Sequence, residues 1–91
     1  MYANSKKSYN WFVRNFLMKK STNGWYSFDN PFDPDGMGKR KMAVHFKYQL
    51  VKCFRTGYRE YISNFVMDYV GCPYRDALDI VTGKQIGRAH V

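Results

Sequence analysis

Acid is what this 91-residue chain has least of: 7 Asp and Glu stand against 15 Lys and Arg, a formal charge of +8. The shortage is uneven. Residues 1–28 and 39–59 hold no acid at all, and Glu60 is the one Glu of the chain. A surplus of this size attracts nucleic acid, anionic lipid or acidic protein by long-range electrostatics, and it constrains the class of partner, not the fold.

Cysteine is scarce as well. Cys53 and Cys72 are too few for a secreted disulfide framework and lack the C-x-x-C spacing of zinc ribbons and redox motifs. They read as two semi-buried thiols. A zinc quartet of Cys53, Cys72, His45 and His90 would have to converge from across half the chain, without the local ligand pairs that structural zinc sites use. No metal and no cofactor is therefore expected.

Long apolar runs are missing too, since nothing approaches the ~20 residues of a membrane span, and Arg14 and Asn15 interrupt the short run at 11–18. Groups for catalysis are equally thin. His45 has no carboxylate close in sequence to orient it, His90 is one residue from the end, and the Asp residues fall mainly in turns and helix starts. A nucleophile, a base and an orienting group within reach of one another are not evident, so the chain is expected not to be an enzyme. Its length suits one small domain, 1–91, without internal repeats.

What is present in abundance is aromatic: 19% of residues, including 8 Tyr, which pair apolar area with a polar tip suited to wet interfaces. The segment "SYNWFVRNFLMKKSTNG" spaces Tyr9, Phe12, Val13, Phe16 and Leu17 as a helix, with Ser8 as N-cap, Lys19 and Lys20 in the last turn and Asn23-Gly24 as its stop. Asn23-Gly24 also suits a type I′ hairpin turn, but "WFVRNFLM" does not alternate, which favours the helix. Residues 25–41 read as an irregular connection, with Pro31, Pro34, Gly36 and Gly38 breaking any ladder and Trp25, Tyr26, Phe28 and Phe32 packed over the helices. Within it, "DPDG" is a plain turn, because the Glu that would complete a calcium loop is Met42 here.

From Met42 to Val70 the pattern is helical, in one helix or two broken near Gly57. At about 100° per residue, Ala43, Phe46, Leu50, Phe54, Tyr61 and Phe65 share one side, while Lys41, His45, Tyr48, Lys52, Arg55 and Arg59 share the other. Gly71 and Pro73 then punctuate a short helix over "YRDALDIVTG". These readings predict a mainly α fold, with two or three main helices, a short C-terminal helix and an aromatic-rich irregular loop. Trp11, Phe12, Phe16, Phe46, Leu50, Phe54, Tyr61, Ile62 and Phe65 are expected to share its core.

Solvated helix faces mix Glu with Lys at i,i+4 for mutual support, whereas seven cations between Lys39 and Arg59 have no acid among them. A polyanion would neutralise them. The expected function is non-enzymatic nucleic-acid binding, as a binding protein or ribonucleoprotein component. Lys39, Arg40, Lys41, Lys52, Arg55 and Arg59 would take phosphates, and Tyr48 would stack on a base. "GMGKRK" adds a basic turn in which Gly36 and Gly38 allow close backbone approach. Two alternatives draw on the same features. One is a structural subunit docked in a large protein assembly such as a mitochondrial respiratory complex, with peripheral membrane contact through residues 6–20; the other is a small viral inhibitor of a host nucleic-acid enzyme. An intracellular setting, cytoplasmic or mitochondrial, follows from the cysteine usage and the acid-free N-terminal segment.

Overall fold

The computed structural model describes residues 5–82. The first helix, α1 (Ser5–Asn15), forms where Trp11 and Phe12 can be buried on one side, and its last turn is closed by the Asn15 side-chain amide donating to the Trp11 carbonyl at 2.7 Å. It begins earlier and ends sooner than the sequence suggests. Ser8, expected as N-cap, lies inside the helix and is fully buried, donating its hydroxyl to the Val81 carbonyl at 3.3 Å. Trp11 and Phe12 are buried in the core, whereas Val13 and Leu17 of the same segment are exposed.

The expectation of a mainly helical fold is wrong. A five-stranded antiparallel sheet in sequential order runs through β1 (Lys19–Lys20), β2 (Trp25–Phe28), β3 (Met42–His45), β4 (Leu50–Cys53) and β5 (Arg59–Tyr61). Two helices follow, α2 (Ile62–Val70) and α3 (Tyr74–Thr82). The long helix expected over 42–70 is thus three strands and one short helix. Lys19 and Lys20 sit in a strand rather than a last helical turn, and Trp25, Tyr26 and Phe28 in another rather than an irregular loop.

Asn23-Gly24 makes the hairpin turn between β1 and β2. Both residues have positive φ, 54° and 85°, and the Trp25 N–H closes the turn on the Thr22 carbonyl at 3.0 Å. Gln49, at φ 57°, ends the β3–β4 turn, and Gly57, at φ 80°, ends the turn into β5. The connection from β2 to β3 carries a single 3-10 turn, Pro34–Gly36, where "DPDG" predicts a turn. At the end of α2, Gly71 takes the left-handed conformation and its N–H returns to the Met67 carbonyl, the stop expected of it.

The strand register assigns the side chains to faces, because alternate residues of a strand project oppositely and paired residues project together. Tyr26, Phe28, Met42, Val44, Val51 and Cys53 share the face on which the helices pack. Phe65 of α2 lies centrally there, its ring stacked on Phe12 at 5.5 Å and edge-on to Phe28 at 6.0 Å. Trp11, Phe12, Phe46, Ile62 and Phe65 are buried as expected and Phe16 is half-buried, but Phe54 is 68% exposed and Tyr61 61%. Leu50 is only half-buried. All three belong to the opposite face, which a helical periodicity over 41–61 could not reveal.

Candidate nucleic-acid interface

The register sets out the face opposite the helices as two neighbouring rows. Lys19, Ser27, Ala43, Lys52 and Arg59 lie side by side across the five strands. Two residues along, Trp25, His45, Leu50 and Tyr61 lie side by side across four. Three cations thus stand beside three aromatic rings, and neither row contains an acid. Beyond the cationic row, the Phe54 N–H donates to the Lys41 carbonyl at 2.9 Å and extends the pairing, which brings another cation and another ring to the same face.

Contacts between these side chains agree with the register. The Lys52 ammonium lies 4.6 Å from the centre of the Trp25 ring and 5.4 Å from that of Phe54. Small Ala43, between Lys52 and Ser27 in the row, leaves Lys52 room to cross toward β2. A cation held over a ring is placed without losing its charge, and stacking bases and paired phosphates would both find partners here. Among the described residues, none of the ring contacts made by Trp25 or His45 reaches a helix.

The seven residues expected to bind do not form one surface. Lys41, Lys52 and Arg59 come together on the outer face. Lys39 and Arg40 stay in the loop before β3, where Arg40 has φ 47° and its N–H donates to the Asp29 carboxylate at 2.9 Å. Arg55, in the β4–β5 turn, is ion-paired through Nε to Asp33 at 2.7 Å, so much of its charge is already answered. Tyr48 is at the far end of the sheet, stacked on His45 at 4.2 Å. Lys19, Trp25, Phe54 and Tyr61 share this face but are not among the residues that the sequence points to. Their signal is the strand alternation of "WYSF" and "LVKCF", in which inward Phe28, Val51 and Cys53 flank outward Ser27, Lys52 and Phe54.

Cys53 and Tyr58 are the described groups whose protonation is displaced. Burial pushes the Cys53 thiol up, but hydrogen bonds from the Thr56 side chain and backbone, from Asn30 and from the Arg55 backbone outweigh it and leave the pKa below its ordinary value. The thiol is only 3% exposed, so its reactivity is limited by access. Burial and a hydrogen bond to Asp68 raise Tyr58 well above the usual phenol range.

No protein-family profile matches this sequence, and no curated protein matches it. A solved structure does. The whole chain superposes on part of a crystal structure of the primase of Aquifex aeolicus, a structure of its zinc-binding and RNA polymerase domains, with a TM-score of 0.68 and 21% identity. The chain spans 24% of that primase chain, and at this identity the likeness is one of fold. Among the described residues no three His, Cys, Asp or Glu side chains gather to hold a metal ion, and His90 lies outside the described residues. Cys53 and His45 lie on opposite faces of the sheet, so they cannot share one site.

Proposed function

We propose that the chain is a nucleic-acid-binding module that binds through the outer face of its sheet, with Lys19, Lys41, Lys52 and Arg59 on phosphates and Trp25, Phe54 and Tyr61 available to stack on bases. The observation that carries this reading is the pair of adjacent rows, cations in one and rings in the other, with no acid in either. Phosphate contacts supply affinity and position, whereas ring stacking is tolerant of sequence. The fold likeness to a structure of primase domains is consistent with such a role but says nothing of this chain's substrate. The proposed role is binding and not catalysis.

Fluorescence anisotropy with labelled oligonucleotides, single-stranded and duplex, over a range of salt tests the proposal. Binding that weakens with salt, and whose salt slope flattens when Lys41, Lys52 and Arg59 are replaced by Gln, is the expected result. Absence of binding at low salt, or a slope that the triple variant leaves unchanged, would overturn it. A loss of fold stability in that variant would instead place the face against protein.

A further inference from the structure

Beyond the outer face, at the end of the sheet, lies a groove of about 590 Å³ between the start of α1 and the turns joining β1–β2 and β3–β4. The groove is an open depression and not an enclosed cavity, so a ligand in it would keep one side toward solvent. Its floor is a triangle of rings: Tyr9 meets Tyr26 at 5.6 Å and Phe46 at 5.4 Å, and Tyr26 meets Phe46 at 5.5 Å, all at steep angles. Along one wall stands the His45–Tyr48 stack, with ring centres 4.2 Å apart and planes 22° from parallel.

His45 is fixed from both ends. Its Nδ1 accepts the Tyr48 N–H at 3.3 Å, so Nε2 carries the proton and donates to the Asn23 carbonyl at 2.9 Å. Gly24 makes room for this, since a Cβ there would lie 2.8 Å from Nε2. A locked imidazole in turn fixes the ring of Tyr48 against one face, while Tyr48 remains 59% exposed. Lys6 and Lys47, both exposed, stand among the lining residues, and none of the described lining residues is acidic. The exposed Asn23 side chain brings an amide to the same place.

A held aromatic platform, two cations and an amide make up the recognition set for a base joined to a phosphate. We infer that this groove binds a nucleoside phosphate, its base stacked on Tyr48 and its phosphate taken by Lys6 and Lys47. The inference rests on the nucleic-acid reading only for the source of the ligand. The groove meets the outer face through His45, whose ring is 5.1 Å from Trp25, so the ligand is either a free nucleotide or one nucleotide of a strand laid along the sheet.

The test is amide chemical-shift mapping by NMR with AMP, and separately with a short oligonucleotide, at about 50 mM salt where phosphate contacts are strongest. AMP shifting the Asn23, Gly24, Lys47 and Tyr48 amides supports a free-nucleotide site. The same amides shifting with the oligonucleotide alone supports a site for one nucleotide of a strand. Loss of the stack in Tyr48→Ala should weaken the ligand that binds by about tenfold, and Lys6→Gln with Lys47→Gln should weaken it by a route that salt already suppresses in the parent. Met37→Ala, an exposed position in the β2–β3 connection and not among the lining residues, should leave AMP binding unchanged. If the oligonucleotide binds and shifts only outer-face amides, and AMP shifts none, the groove inference is overturned while the proposed function stands. AMP bound in the groove with no oligonucleotide binding at all would do the opposite, keeping the groove and removing the proposed function, and binding of neither would remove both.

Discussion

On one face of the sheet Phe28 and Met42 are fully buried beneath Phe12 and Phe65, whereas on the other Phe54 is 68% exposed and Tyr61 61%. Both faces are rich in rings, yet helices cover only one. The difference lies in what stands beside the rings. On the covered face the neighbours are Val44, Val51 and Cys53, which pack, and three helices close over them. On the open face they are Lys19, Lys41, Lys52 and Arg59, whose desolvation under a helix would cost more than ring burial returns. Aromatic content alone therefore does not distinguish a covered face from an open one. The charge one strand away does.

The comparison is broken most directly at its extremes. Phe65→Ala should cost about 3–5 kcal/mol in urea unfolding, because it removes the ring on which Phe12, Phe28 and Tyr69 converge and leaves a cavity. Phe54→Ala should stay within about 0.5 kcal/mol of the parent. Comparable losses at the two positions would mean that the open face is covered in solution.

Binding should rank the same residues in the opposite order. Phe54→Ala and Tyr61→Ala are each expected to lose about 1–3 kcal/mol of oligonucleotide affinity if their rings stack on bases. A variant of Phe65 that stays folded, such as Phe65→Leu, should bind as the parent does. Anisotropy titrations check both, and equal losses from inner and outer rings would show that binding follows stability alone.

Parts of this contrast are legible in the sequence without the fold. The positive surplus and its acid-free stretch point to Lys41, Lys52 and Arg59, and the ring spacing around Phe12 finds a core helix. The face on which Phe54 and Tyr61 lie is not legible. Strands β3 and β4 have four residues each, so each turns only two side chains toward the core, too few for alternation to outweigh a helical fit. The turn between them contains neither Gly nor Pro, and its left-handed residue is Gln49. Asn23-Gly24 carries its hairpin meaning openly, but the real helix just before it makes a helix stop the nearer reading. Tertiary pairing decides what local pattern leaves even. Arg55 shows the same limit for the site: its pairing with Asp33 joins residues 22 apart in sequence, which a charge count cannot see.

Charge provides a smaller test of the same contrast. Each phosphate contact removed should reduce the log–log salt slope by about 0.7 on single strands or about 0.9 on duplex, so replacing Lys41, Lys52 and Arg59 by Gln should flatten it by about 2–3. Arg55→Gln should change the slope less than Lys52→Gln, since its partner is Asp33. Stability should move by no more than about 1 kcal/mol when that exposed pair is broken. A slope change at Arg55 equal to that at Lys52 would extend the interface around the β4–β5 turn.

A pH-dependent effect is expected at the border between the faces, where Tyr58 packs against the core and its hydroxyl donates to Asp68 at 2.9 Å. Burial first, and then the Asp68 carboxylate, hold the phenol neutral in the folded chain well above the 10.0 at which it ordinarily ionises. A folded pKa raised above the unfolded one contributes stability that is fully present below pH 10 and is lost as pH climbs toward the folded value, because the unfolded chain releases the proton first. Tyr58→Phe should therefore cost about 1 kcal/mol near neutral pH, the worth of one hydrogen bond, and should flatten the alkaline decline in the urea midpoint. Asp68→Asn keeps an acceptor but removes the charge, so it should flatten that decline only in part. A decline as steep in Tyr58→Phe as in the parent would assign the alkaline sensitivity to other groups and leave Tyr58 as packing alone, on the covered side of the border.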